Sequence, residues 1–289
     1  MIDSICYSKD WINSRRTLFK RNDPSIIEKT IYAFSLLEKM RAANIDFIFK
    51  GGSSLLLILK NFRRFSIDID IIYERNIDDL EKKLENILND GVFTSLEKDE
   101  RRSKVIPKAH YKFFYYSQIN KRRDSILLDI LFENNVYPEV TNIPIKHPVI
   151  KISGRITDVI VPTVDAILGD KLTAFAPNTI GIKYATGKHI EIIKQLFDIG
   201  SLFDNCTDPD IILKSFQAIS NKEISYRKAS LNQEEVLKDI FNTALTLGMN
   251  GQINPDNFAE LKRGVQSCFW QNKNTANRSV KIQQKEEEK

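Results

Sequence analysis

Cysteine is scarce and scattered. The 289 residues include three, Cys6, Cys206 and Cys268. They lie far apart with no metal-ligand spacing, which argues against a thiolate metal centre and for a reduced, intracellular protein. Also missing is any apolar run near the ~20 residues needed to span a bilayer. The first residues lack the basic and apolar regions of a secretory leader. The chain is therefore expected in the cytoplasm, with no membrane partner. No internal repeat is visible. Neither sign of charge dominates: 43 Lys and Arg against 38 Asp and Glu give +5. That surplus permits contact with nucleic acid without demanding it. What is present is a composition typical of a soluble globular protein, 42% hydrophobic and 28% charged. The length suits one large or two ordinary domains.

The most informative stretch runs from Phe47 to Tyr73, FIFKGGSSLLLILKNFRRFSIDIDIIY. It reads as strand, glycine turn, helix, basic turn, strand. Gly51 and Gly52 stop the run Phe47 to Phe49 and allow positive φ and close backbone approach to a ligand. Ser53 or Ser54 is placed to cap the helix, whose apolar face is Leu55, Leu56 and Leu59. Asn61 to Phe65 turns the chain, and Ile67 to Tyr73 returns as a strand. In that strand Asp68 and Asp70 are two apart and share a face, with Ile67, Ile69 and Ile71 on the other. Adjacent carboxylates repel, and a hard cation such as Mg2+ relieves the repulsion. A helix N-terminus behind two glycines suits a phosphate. A phosphate seat beside a divalent-metal seat is what nucleotide transfer requires. The bland alternative is a solvated strand face and an ordinary turn.

Lys50-Gly51-Gly52-Ser53, a leucine-rich helix, then Arg64-Phe65-Ser66-Ile67-Asp68-Ile69-Asp70 resembles the signature of the nucleotidyltransferase superfamily. More narrowly it is similar to the AbiEii-type toxin family of bacterial abortive-infection and toxin–antitoxin systems. An acidic residue often precedes the first Asp of that pattern, where this chain has Ile67. The resemblance extends loosely to about residue 205. Lys171-Leu172-Thr173-Ala174 fits a K-x-x-A helix, and Lys183 and Lys188 supply basic positions. Gln195-Leu196-Phe197-Asp198-Ile199 fits the following helix, with Gln195 replacing the usual first Asp. The resemblance implies two Mg2+ ions, or Mn2+, on Asp68, Asp70 and a third carboxylate from a neighbouring strand. Asp129, in the apolar run Ser125 to Phe132, is the candidate, and a structural salt bridge is the competing role. It further implies phosphate binding by Gly51, Gly52 and Ser53, nucleotide contacts by Arg64 and Ser66, charge stabilisation by Lys171, and Asp198 as its orienting partner. A surface Lys and a surface helical Asp remain the alternative for that last pair. Implied partners are an NTP, an RNA, tRNA or protein acceptor, and an antitoxin protein.

Elsewhere the pattern is mostly structural. Residues 1–22 form an arm with Trp11 and Phe19 as anchors and Arg15, Arg16, Lys20 and Arg21 as a basic face. Asp23-Pro24 opens a helix to about Ala43, with Ile27, Ile31, Phe34 and Leu37 inward. Asn76 caps a helix over Ile77 to Asn89, stopped by Gly91, and Val92 to Leu96 reads as a strand. Between Lys98 and Asp124, nine Lys or Arg face three acids around the run His110 to Tyr116. This suits a single-stranded nucleic acid, or a hairpin whose aromatics serve the core. Pro138, Pro144 and Pro148 imply a loop or an irregular edge. Val159 to Val161 is a last short strand. Helices follow at Thr163 to before Pro177, Lys188–Phe203, Asp208–Asn221, Asn232–Leu247 and Pro255–Gln271. The tail from Asn272 to Lys289 is expected to be disordered. Gly181 to Lys188 is not a P-loop: five residues separate the glycines, and His189 stands where Ser or Thr should bind Mg2+.

The expectation is an α/β nucleotidyltransferase fold with a mixed sheet over 1–162, then an all-α helical bundle over 163–289. The expected activity is transfer of an NMP from an NTP to an acceptor hydroxyl. A non-catalytic nucleotide- or RNA-binding module and a kinase-like phosphotransferase are the alternatives.

Overall fold

The computed structural model describes residues 1–19, 23–62, 64–75, 77–99, 106–227 and 230–267. The expectations for Lys20, Arg21, Asn76, the basic positions 101, 102 and 104, Cys268 and the tail lie outside these. The chain divides into two units. One holds Met1–Asn135 and Thr141–Pro162, the other Val136–Val140 and Thr163 onward.

In the first unit, the arm forms a short 3₁₀ turn, Ser4–Tyr7, and helix α1, Lys9–Leu18. Trp11 anchors it by donating its indole N–H to the Val149 carbonyl at 2.9 Å. Helix α2 spans Pro24–Ala42, with the Asp23 side chain accepting from the Ser25 amide at 2.8 Å and Pro24 in the first turn. Its Ile27, Ile31, Phe34 and Leu37 are fully buried.

A seven-stranded sheet supplies the other half of that core. Its strands are β1 Ile48–Lys50, β2 Ile69–Ile72, β3 Ser95–Asp99, β4 Lys108–Tyr116, β5 Arg123–Leu131, β6 Val140–Pro144 and β7 Asp158–Pro162. The order across the sheet is β3-β4-β5-β2-β1-β7-β6. The sheet is mixed: β2 runs parallel to β5 and β1 to β7, while β1–β2, β3–β4 and β4–β5 are antiparallel. Helix α3, Gly51–Ile58, fills the link from β1 to β2, and α4, Ile77–Asn86, follows β2. Alternation along the strands sends Ile69 and Ile71 of β2, Ile126, Leu128 and Ile130 of β5, and Tyr111, Phe113 and Tyr115 of β4 into one core with α2.

The aromatic run of β4 therefore divides by face. Three rings are core, as the hairpin reading expects, and the Tyr115 ring stacks on Tyr32 of α2 with 3.6 Å between centroids. Phe114 and Tyr116 take the opposite face, where the Arg123 guanidinium lies 3.5 Å over the Phe114 ring. The expected strand at Val92–Leu96 forms instead at Ser95–Asp99, because Phe93 is drawn into the core and the polar residues after it pair with β4. The proline-rich segment holds β6 at the sheet edge, where Pro144 removes no ladder donor the sheet needs.

Inside this unit His147 is 5% exposed, surrounded by Phe19, Phe34, Phe62 and Phe65 at centroid distances of 5.4 to 6.4 Å. Its Nδ1 accepts from the Val149 amide at 3.1 Å. Its buried Nε2 has no hydrogen-bond partner among the described residues. Burial lowers its pKa from 6.5 to about 4.

The second unit carries helices α5 Val164–Ala174, α6 His189–Phe203, α7 Pro209–Arg227 and α8 Gln233–Gly248, and is helical again over 255–267. Thr163 caps α5, and Asn232 with Glu235 makes a full capping box on α8. Helix α7 runs one and a half turns past the Asn221 expected from sequence, to Arg227. The buried Asp239 carboxylate accepts from Asn178 and Thr179, four bonds of 2.7 to 2.9 Å that fix the chain after α5. Among the described residues no helix is long and apolar enough to cross a membrane.

Candidate active site

The site grows from one tight junction. Strand β1 ends at Lys50, and α3 begins at Gly51 with no linking residue. Gly51 takes φ +76°, which an L side chain resists. A Cβ there would also fall 2.1 Å from the Asp70 Oδ2 atom. A Cβ on Gly52 would fall 2.7 Å from an Arg64 guanidinium nitrogen and 3.0 Å from the Ser66 hydroxyl. The two glycines thus clear space for Asp70, Arg64 and Ser66 to close over the start of the helix.

Neither serine caps α3. The helix starts three residues earlier than a Ser53 cap needs and four earlier than a Ser54 cap needs, and Lys50 stands at the N-cap with no side-chain capping bond. Ser54 donates to the Gly51 carbonyl at 2.8 Å. Ser53 is buried; its hydroxyl donates to the Asp68 carbonyl and lies 3.2 Å from the Ser66 hydroxyl. That hydroxyl ties the helix to the strand of the two aspartates. The N–H groups of a first helical turn are in general what such a junction offers an anion.

Asp70 sits in β2, and Asp68 lies just before the strand, exposed. Asp129 is brought beside Asp70 by strand register: Asp70 pairs with Asp129 across the parallel β2–β5 ladder. The same register continues on both sides. Lys50 of β1 pairs with Asp70, His110 of β4 with Asp129, and Asp99 of β3 with His110. One row of polar side chains therefore crosses five adjacent strands on the face away from α2. Neighbouring strands are about 4.8 Å apart. Two carboxylates at roughly 5 Å repel by about 3 kcal/mol at an effective dielectric of 20. Lys50 on one flank, and a cation between the carboxylates, would each offset that.

The partner of Asp129 is explicit: its Oδ1 lies 2.6 Å from His110 Nδ1, with the ring 15% and the carboxylate 32% exposed. Lys112, two residues along β4, holds Asp99 at 3.0 Å. His110 joins this row although the sequence motifs do not mark it. The available signal was that histidine is rare here, three in the chain, and that this one alternates with core aromatics on a strand.

The donor set of Asp70 and Asp129, with Asp68 close in sequence, is all carboxylate and fits a hard cation such as Mg2+ in kind. Among the described residues no group of three His, Cys, Asp or Glu side chains is gathered so that it could hold a metal ion, so Asp68, Asp70 and Asp129 are not brought together as one ligand set. The match to a cation is one of ligand type, carried by the two register-paired carboxylates Asp70 and Asp129.

In the second unit, Lys171 and Asp198 form a buried pair. Their Nζ–Oδ2 distance is 3.0 Å, with the residues 8% and 3% exposed. Gln195 accepts from Lys171 at 3.1 Å. Lys171 is thus held by two side chains of one face of α6, and neither it nor Asp198 is a surface residue.

The family model described as nucleotidyl transferase AbiEii toxin, type IV toxin–antitoxin system, matches residues 36–267. The chain belongs to this family and is a nucleotidyltransferase. Among solved structures, JHP933 from Helicobacter pylori aligns at 16% identity over 90% of this chain and 97% of that one, with TM-score 0.42. An antigenic nucleotidyltransferase-like protein from Paracoccidioides brasiliensis aligns at 14% identity over 73% and 93%, with TM-score 0.44. No curated protein matches the sequence.

Proposed function

We propose that this protein transfers a nucleoside monophosphate from an NTP to an acceptor hydroxyl on RNA, tRNA or protein, with release of pyrophosphate. It acts in the cytoplasm as the toxin of a toxin–antitoxin pair, with an antitoxin protein as partner. Residues 1–162 form the nucleotidyltransferase domain and 163–289 a helical bundle domain. The observation that carries the reading is the register of Asp70 with Asp129 beside the Gly51–Gly52 junction. A non-catalytic binding module would be the better reading with Asp129 turned away; its register beside Asp70 supports the catalytic one.

Asp68, Asp70 and Asp129 would hold two Mg2+ ions, or Mn2+ in their place. When bound, Mg2+ neutralises phosphate charge and lowers the pKa of the acceptor hydroxyl. The backbone N–H groups of Gly51, Gly52 and Ser53 bind a phosphate at the start of α3. Arg64 donates to phosphate oxygens with a forked guanidinium, and Ser66 fixes the turn that presents it. Lys171 offers a positive charge to phosphate oxygens, and Asp198 fixes the direction of its ammonium group.

The test is incubation of the full chain with Mg2+, total bacterial RNA and each α-32P-labelled NTP, with Asp70→Asn as control and pyrophosphate measured in parallel. Label entering RNA or protein with stoichiometric pyrophosphate, lost in the variant, supports transfer. Release of NDP instead would assign a phosphotransferase. Full activity in Asp70→Asn would remove Asp70 from the site.

A further inference from the structure

We infer that His110 is a positioning residue that fixes the Asp129 carboxylate for metal binding, an inference that rests on reading Asp129 as a metal ligand. An ionised carboxylate only accepts hydrogen bonds, so Nδ1 of His110 carries the hydrogen in the 2.6 Å contact with Asp129 Oδ1. Asp129 lies on β5 between Leu128 and Ile130, both fully buried, so its backbone is rigid and only its side-chain torsions are open. The bond to His110 removes that freedom. It occupies Oδ1 and leaves Oδ2 as the oxygen to meet a cation shared with Asp70, its register neighbour on the other side. The ring is itself fixed, because Tyr111 on one side of it in sequence is buried and β3 pairs with its strand. This is the outer-shell role that carboxylate-binding groups play at metal sites, where removing one typically lowers metal affinity about 10- to 100-fold.

The geometry makes a selective demand on substitutes. The side-chain amide of Asn places its nitrogen close to the position of Nδ1, while that of Gln reaches toward the position of Nε2. His110→Asn therefore keeps the bond to Asp129, and His110→Gln and His110→Ala lose it.

The experiment is Mn2+ titration of the nucleotide-free full chain, followed by electron paramagnetic resonance, on wild type, Asp129→Asn and the three His110 variants, with melting temperatures for each. The expected result is saturable binding by wild type, weakened about 10- to 100-fold in His110→Ala and His110→Gln. Binding is largely restored in His110→Asn at a melting temperature equal to that of His110→Gln. The inference is overturned if His110→Ala binds Mn2+ as wild type does while Asp129→Asn does not, or if Asn is no better than Gln. If Asp129→Asn itself binds as wild type does, the reading of Asp129 as a ligand falls and this inference with it.

Discussion

Replacing His147 by Phe should flatten the acid side of the stability curve. In the folded protein burial among four phenylalanine rings lowers the His147 pKa from 6.5 to about 4. The unfolded chain takes up the proton near pH 6.5, and the folded chain resists it down to about pH 4. Between those values the unfolded state binds more protons, so stability falls as pH falls. A shift of 6.5 minus about 4 is about 2.5, and at 1.36 kcal/mol for each such step the loss is about 3 kcal/mol over this window. Above pH 7 the group costs nothing in charge. His147→Phe preserves the ring contacts, gives up the bond from the Val149 amide, worth about 1 kcal/mol, and removes the titration. Urea unfolding at steps from pH 7.5 to 4 would measure both proteins. Carboxylates titrate alike in the two, so the difference between the curves isolates His147. Wild type should lose about 3 kcal/mol more than the variant over that range. Parallel curves would show that His147 does not stay neutral in the folded core, and the assignment of its burial as the cause would be wrong.

Gly51→Ala should abolish nucleotidyl transfer, because the added Cβ must displace the Asp70 carboxylate; the positive φ adds about 1–2 kcal/mol of destabilisation. An active, stable Gly51→Ala enzyme would contradict the close approach of Asp70. Asp198→Ala should destabilise by about 3–5 kcal/mol, since it strands a buried ammonium. The double variant Lys171→Met with Asp198→Leu should cost far less than the sum of its parts in a denaturation cycle, yet remain inactive in the labelling assay. Additive costs would mean that the two side chains do not depend on each other. Glu28, whose pKa is raised by burial and which accepts from Ser117 and the Gln118 amide, gives stability that is complete below the unfolded value of 4.5 and declines as pH rises through the raised folded value. Glu28→Gln should remove that decline in the same urea series.

The turn of β1 into α3 and back to β2 was legible because two glycines and a period-two strand are local signals. The position of Asp129 was legible in kind, as an acid in an apolar run, but its neighbour was not. Register between β2 and β5 joins residues 59 apart, and nothing within either strand states which residue will oppose which. The part of His110 is illegible for the same reason, since it lies in the β4–β5 pairing. Strand β3 was displaced because a polar edge strand has no hydrophobic alternation to read, and the apolar Phe93 was a stronger lure. The cap on α3 was misplaced because the rule expects a serine ahead of the helix, whereas a left-handed Gly51 lets the helix begin inside the glycine pair. Lys171 and Asp198 lie on different helices, and their burial together follows from packing that spacing alone does not fix.

The polar row from Lys50 to Asp99 also guards the assembly of the sheet. Slip β5 by one residue against either neighbour and Asp129 changes places with Leu128 or Ile130. A carboxylate would then enter a dry core while an isoleucine or leucine faced solvent, at a cost of several kcal/mol. Misaligned sheets are therefore rejected by the charges of this row, and a chain that has folded at all has folded with Asp70 and Asp129 side by side.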